Sequence, residues 1–146
     1  MTGENSIRWI SRWVALAGLV ASVSVAIAAQ ATVPAGEKAT LAGDLQAATA
    51  YGPPNFGENP ETDKKESYIV LAHFSPIDVR DTDGTVLPNI VRAQLIVPIE
   101  QEVLARKVKQ LVGAGAVRIT GKVFPATTGH HHEPIVLIVE SAEKAK

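Results

Sequence analysis

The sequence predicts a small, mainly β domain with a single helix, preceded by an N-terminal export signal. Three observations carry this prediction. The first 31 residues have the composition of a secretory signal. Several later segments alternate apolar and polar residues with the period of two that is typical of a half-buried strand. One segment has instead the 3.6-residue period of an amphipathic helix.

Residues 1–31 are interpreted as a signal peptide. Arg8 and Arg12 give it a positive start, residues 14–29 are almost wholly apolar, and two small-x-small cleavage sites follow. The apolar run is short for a membrane span, which needs about 20 residues. We therefore expect a periplasmic or secreted protein. The alternative is an uncleaved signal that anchors the chain in a membrane.

Composition restricts the partners of the mature chain. The sequence has no cysteine, so no disulfide stabilises the fold. Without Arg8, Arg12 and Glu4, the 14 basic and 15 acidic residues become 12 and 14, a net charge of −2. Nucleic-acid-binding proteins usually carry a basic face, and anionic membranes attract basic segments. We expect no nucleic-acid partner, and membrane contact only through an uncleaved signal.

Residues 32–140 are predicted to form one domain, followed by a solvated tail at 141–146. Pro and Gly residues separate its apolar segments and mark the turns. Asp83-Gly84 is typical of a hairpin turn. His73 shares a strand face with Ile69 and Leu71, which predicts a core histidine. The predicted strands are residues 37–48, 67–74 with an extension to 79, 89–97, 116–124 and 133–140.

The helix is predicted over residues 99–112, between the third and fourth strands. Glu100 and Glu102 lie in its first turn, as the helix dipole prefers, and Gly113 is well placed to end it. The apolar residues of one face are Val103, Leu104, Val108, Leu111 and Val112.

The resulting order, β-β-β-α-β-β, resembles the oligonucleotide/oligosaccharide-binding (OB) fold, a five-stranded and partly open barrel. A small β-sandwich is the main alternative. In the OB fold, the loops between strands 1 and 2 and between strands 4 and 5 build the binding surface. The two segments of unusual composition, residues 51–63 and 126–133, fall in those loops. This coincidence predicts a binding site there.

Three motifs of the chain are distinctive: Tyr51-Gly-Pro-Pro-Asn-Phe-Gly-Glu-Asn-Pro-Glu-Thr-Asp63, Gln94-Leu95, and residues 117–124 running into Thr128-Gly-His-His-His132. Together they resemble a bacterial family, the domain of unknown function 4431. The resemblance spans residues 40–139. It implies a small exported bacterial protein and brings no activity. One departure is Glu133, where the family pattern has Thr before the Pro, so a carboxylate replaces a hydroxyl.

The histidine run suggests a metal site. If these residues enter a strand, His130 and His132 share a face while His131 points away. Two imidazoles at i and i+2 can ligate Zn²⁺, Ni²⁺ or Cu²⁺ with a third ligand, for which Glu133 is a candidate alongside Glu58 and Asp63. The alternative is that the imidazoles hydrogen-bond loop backbone and hold the proline-rich segment in place.

Tyr51, Asn55, Phe56, Glu58 and His131 are the predicted ligand-binding residues. Aromatic rings, amides and carboxylates together are what a sugar or peptide site uses. The alternative is a rigid loop whose rings plug the end of the barrel.

These patterns favour an exported binding module for a small molecule, a glycan or a protein. The sequence contains no G-x-S-x-G elbow, no phosphate-cradling glycine loop and no cysteine nucleophile, which favours a non-enzymatic protein but leaves catalysis open. The alternative function is a metal-binding protein, or a metal-assisted hydrolase, built on His130, His132 and a carboxylate.

Overall fold

The computed structural model describes residues 30–145, and most of the segment interpreted as a signal peptide, residues 1–29, lies outside them. The described residues form a mainly β domain, as predicted. None of their helices is long and apolar enough to span a membrane. The elements are β1 Ala31–Pro34, β2 Lys38–Tyr51, β3 Lys65–Arg80, β4 Val86–Ile96, α1 Glu102–Leu111, β5 Ala116–Pro125 and β6 Ile135–Lys144.

Five of the strands form a closed ring of hydrogen-bonded pairs, although they are not spaced evenly round an axis. β2 pairs antiparallel with β3 and β5, β3 pairs antiparallel with β4, and β5 pairs antiparallel with β6. A short parallel pairing of residues 94–96 with 136–138 joins β4 to β6 and completes the ring. Ring closure leaves few unpaired strand edges. β1 lies outside the ring, parallel to β3.

Aliphatic side chains fill the interior of the ring. They come from alternate positions of the strands, such as Leu41 and Leu45 of β2, which confirms the predicted period of two. Val108 and Leu111 of α1 are buried in the same core. Burial of this apolar surface is the main stabilising contribution in a chain without disulfides.

The last strand is longer than predicted. β6 continues to Lys144, and its residues 141–144 pair with residues 117–120 of β5. Ala142 is 2 % exposed because it packs into the core beside that strand. The last strand thus extends into the segment predicted as a solvated tail, where Ala142 is buried while Ser141, Glu143 and Lys144 are exposed. β1 was not predicted, and it begins at Ala31, the last residue assigned to the signal peptide.

The helix is shorter than predicted. A turn in which the Gln101 N–H donates to the Pro98 carbonyl (2.9 Å) precedes it, so α1 begins at Glu102. Val103 is 73 % exposed and does not share the buried face, which runs through Leu104, Val108 and Leu111. Gly113 follows the helix with φ +71°, as predicted for a helix-ending glycine.

The β3–β4 hairpin has a tight turn at one end and a bulge in its middle. The Asp81 N–H donates to the Thr85 carbonyl (2.7 Å) across the predicted turn, where Gly84 has φ +90°. The register shifts between Ala72 and Ile77, and His73 has φ +60° there. Its imidazole is exposed and contacts Asp44 at 3.2 Å. The core position predicted for His73 is therefore wrong, because the bulge turns its side chain outward.

Candidate functional site

Two loops of unusual composition meet at one place on the domain. The proline-rich loop, residues 52–64, connects β2 to β3, and the histidine loop, residues 126–134, connects β5 to β6. The rings of Phe56 and His130 pack edge to face with centroids 5.8 Å apart. A Cβ on Gly129 would lie 2.8 Å from the Phe56 ring, so a larger residue at this position would require that ring to shift. The two segments singled out in the sequence are thus in direct contact.

A carboxylate from β3 lies between two imidazoles of the histidine loop. His130 donates from Nδ1 to the Glu66 carboxylate at 2.8 Å, and His132 donates from Nε2 to it at 3.0 Å. These hydrogen bonds hold the pKa of Glu66 below its ordinary value of 4.5, and the bond from His130 has the larger effect. Glu66, His130 and His132 together form a carboxylate–imidazole cluster. Glu66 was not among the predicted site residues.

Two side chains of β4 hold the histidine loop against the ring. The Gln94 amide donates to the His130 carbonyl (3.0 Å) and accepts from the His132 N–H (2.7 Å). Arg92 donates to both oxygens of Glu133, at 2.9 and 2.6 Å. This bidentate pair raises the pKa of Arg92 above its ordinary value. The histidine loop therefore has a fixed backbone as well as fixed side chains.

An aromatic residue of β3 completes the contact with the histidine loop. The Tyr68 ring lies 5.0 Å from the His132 ring, centroid to centroid, at an angle of 38°. Burial and the neighbouring Glu133 carboxylate raise the pKa of the Tyr68 hydroxyl, so this group remains a neutral hydrogen-bonding group at physiological pH.

The predicted metal site is not assembled. His130 and His132 do lie on one side, as predicted, but Glu133 turns to Arg92 instead of joining them. Glu133 is 8 % exposed, and a buried carboxylate requires an ionic partner. Within residues 30–145, no group of three or more His, Cys, Asp or Glu side chains could hold a metal ion. In the described residues, His130, His132 and Glu133 are therefore not brought together as one set of metal ligands.

The proline-rich loop is held by its own residues. The carboxylate of Asp63 accepts from the backbone N–H groups of Asn55 (2.9 Å), Gly57 (2.7 Å) and Asn59 (3.3 Å). Burial opposes ionisation of Asp63, but these bonds outweigh it and lower the pKa of the carboxyl. The Asn55 side chain also donates to Asp63 at 3.1 Å. Asn55, which was predicted to bind ligand, thus stabilises the proline-rich loop through this hydrogen bond.

The other predicted ligand-binding residues fall into two groups. Phe56 and Tyr51 are exposed by 47 % and 36 %, and Glu58 is also exposed, so all three are accessible at the proline-rich loop. His131 is not part of this surface. Its Nδ1 accepts from the Thr127 N–H (3.0 Å), and its ring lines a different cavity.

A cavity of about 430 Å³ opens at the carboxylate–imidazole cluster. Its size lies within the range of small-molecule sites. The lining residues are Glu66, Ser67, Tyr68, Gln94, His130 and His132. No motif or residue spacing in the sequence indicated Glu66, Ser67 or Tyr68, although Gln94 belongs to one of the motifs that resemble the family.

No curated protein and no solved structure matches the chain. Residues 92–143 match the family described as Domain of unknown function (DUF4431). The match includes Arg92, Gln94 and the whole histidine loop, and it excludes the proline-rich loop. This part of the chain is therefore similar to the domain of unknown function 4431 family, which agrees with the resemblance of its motifs.

Proposed function

We propose that this protein is an exported binding module, acting in the periplasm or outside the cell. Its ligand contacts the surface where the proline-rich loop and the histidine loop meet. One observation carries the proposal: the two loops are in contact beside a cavity, and that cavity contains the carboxylate–imidazole cluster. Polar groups that converge in a cavity are the usual mark of a ligand site.

The accessible groups at this surface favour a particular ligand chemistry. The lowered pKa of Glu66 keeps its carboxylate ionised, and an ionised carboxylate accepts strong hydrogen bonds from hydroxyl or ammonium donors. The exposed ring of Phe56 offers an apolar surface next to it. Glu58, two residues after Phe56 in the sequence, adds a second negative charge. A glycan with one apolar face, or a lysine-containing peptide, matches this combination.

The arrangement of the strands supports an OB-like interpretation of the same site. The helix lies between the third and fourth strands of the ring, and the ring closes through a parallel pairing of β4 with β6. In an OB fold the ligand lies across the face of the second and third strands and between the two loops at its edge. Here those strands are β3 and β4, which supply Glu66, Tyr68 and Gln94.

The proposal is tested by measuring how two probes bind to the purified protein and its variants. The probes are chitotetraose, an amino-sugar oligomer, and tetralysine. We expect one of them to bind, and Phe56→Ala and Glu66→Gln each to weaken it about tenfold, as the loss of one good contact does. Thermal unfolding of the same variants, followed by circular dichroism, checks that each protein is folded.

Two matched variants serve as controls. Val91→Ala removes an exposed apolar side chain from β4, and Glu143→Gln removes an exposed carboxylate that is paired with Arg118. Neither change is expected to affect binding. If Phe56→Ala and Glu66→Gln lower only the melting temperature, the two loops are structural and the proposal is wrong. If neither probe binds, the proposed ligand chemistry is wrong.

A further inference from the structure

A second cavity, of about 390 Å³, is separate from the one at Glu66. The two cavities share no lining residue. His131 lines the second, while its neighbours His130 and His132 line the first. The lining residues of the second cavity are Ala35, Asp81, Thr82, Ile96, Phe124, Pro125, Thr127, His131, Val136 and Ile138.

The walls of this second cavity are apolar and come from three strands of the ring. β4 contributes Ile96, β5 contributes Phe124, and β6 contributes Ile138, all only partly buried. These side chains alternate with core residues along their strands, so they lie on the outer face. An apolar concavity of this volume with a few polar groups at its edge is typical of a small-molecule site.

Two of the four polar residues in the lining, His131 and Asp81, favour one kind of head group. The Thr127 N–H donates to Nδ1 of His131 at 3.0 Å, so the neutral imidazole carries its proton on Nε2 and is a hydrogen-bond donor there. Asp81 is the one acidic residue of the lining, and the lining contains no Lys or Arg. Its negative charge disfavours an anionic ligand. The lining therefore suits a neutral head group with an acceptor oxygen.

We propose that this second cavity binds a small neutral aromatic molecule whose hydroxyl or carbonyl oxygen accepts a hydrogen bond from Nε2 of His131. The aromatic ring packs against Phe124, Ile96 and Ile138. This site is distinct from the one proposed above and does not depend on it. It also gives a role to His131, the one member of the histidine run that the carboxylate–imidazole cluster does not use.

Two ligands that differ mainly in their head group test the proposal on the unmodified protein. 2-Phenylethanol is neutral and phenylacetate is anionic, and both carry the same ring. In NMR titrations of the isotope-labelled protein, 2-phenylethanol is expected to bind in the millimolar range, as a ligand of nine heavy atoms does. The shifts should concentrate at Phe124, His131 and Ile138. Phenylacetate is expected to bind at least about fivefold more weakly because of Asp81.

Two variants test the role of His131. His131→Ala is expected to weaken 2-phenylethanol binding about fivefold, which corresponds to one hydrogen bond, and His73→Ala, an exposed histidine elsewhere, to leave it unchanged. The proposal is overturned by shifts that are absent or scattered, by shifts centred on Glu66, or by equal binding of the two ligands.

Discussion

The two loops of the candidate site are stabilised in different ways. In the proline-rich loop, the hydrogen bonds of Asp63 go to Asn55, Gly57 and Asn59, all within eight residues along the chain. In the histidine loop, the bonds reach Glu66 of β3 and two residues of β4, which are distant in the sequence. The proline-rich loop is therefore stabilised by hydrogen bonds within itself, whereas the histidine loop is held by hydrogen bonds to β3 and β4 of the ring.

This difference determines how each loop responds to substitution. Bonds between residues distant in the sequence form only when the ring has folded, so breaking them lowers the global free energy of unfolding. Bonds within one loop can open while the ring remains intact, since local opening requires less free energy than global unfolding. Substitutions in the histidine loop should be global in effect, and substitutions in the proline-rich loop should be local.

The largest effect is expected at the ion pair of the histidine loop. Arg92→Ala leaves the Glu133 carboxylate, 8 % exposed, without its partner. Breaking a buried pair costs about 3–5 kcal/mol, and we expect about 2 kcal/mol here because the guanidinium is half exposed and water screens it. Urea unfolding at neutral pH measures the loss.

Two further variants test the reason for this loss. Arg118→Ala breaks an exposed pair with Glu143 and should lower the free energy of unfolding by less than about 1 kcal/mol. The double variant Arg92→Ala with Glu133→Ala removes both charges and should recover part of the loss. A single variant as stable as the unmodified protein contradicts the view that this pair fastens the loop.

A smaller global effect is expected at Gln94. Gln94→Leu preserves the approximate volume and removes both hydrogen bonds to the histidine loop, at the His130 carbonyl and the His132 N–H. An unmade hydrogen bond costs about 1 kcal/mol or more, so we expect a loss of about 1–2 kcal/mol in urea unfolding. Gln46→Leu is the control, because Gln46 forms no side-chain hydrogen bond within the described residues. Equal losses in the two variants exclude the special role of Gln94.

The proline-rich loop offers the contrasting case. Asp63→Asn replaces one acceptor oxygen with an N–H₂ group and is expected to speed amide exchange at Asn55, Gly57 and Asn59 about tenfold. Hydrogen-exchange mass spectrometry should show no change in the histidine loop. Glu61→Gln, an exposed acid of the same loop, is the control. Faster exchange throughout the domain contradicts a self-contained loop.

Most of the fold follows from the periodicity of the sequence, because core packing imposes a period on each element. The alternating residues of β2 and β5 and the helical stripe of α1 are examples. Features that depend on contacts between distant residues were not predicted. β1 is a four-residue strand stabilised by its pairing with β3, and the bulge at His73 changes the face of one side chain without changing the pattern around it.

In the candidate site, too, sequence patterns predicted some features, and contacts between distant residues determine the others. Loop composition predicted that residues 51–63 and 126–133 belong together, and the contact between Phe56 and His130 agrees with that prediction. The third member of the cluster was not predictable, because Glu66 is an ordinary strand residue in the sequence. Its role arises from its position, one residue after the start of β3, where the histidine loop crosses. Glu133 was predicted to bind a metal because the sequence does not show its ion pair with Arg92, which lies 41 residues away.

The smallest expected effect is a pH dependence at the carboxylate–imidazole cluster. The pKa of Glu66 in the folded protein lies below its ordinary value of 4.5, so its carboxylate contributes stability above that pH. The contribution is lost as the pH falls through the lowered pKa. Urea midpoints of the unmodified protein and of Glu66→Gln should therefore differ at about pH 6 and converge towards about pH 3. Asp63 and Asp83, whose pKa values are also lowered, are common to both proteins, so their contributions cancel in the difference. A difference that stays constant or widens on acidification would show that Glu66 does not fasten the histidine loop to β3 through its charge.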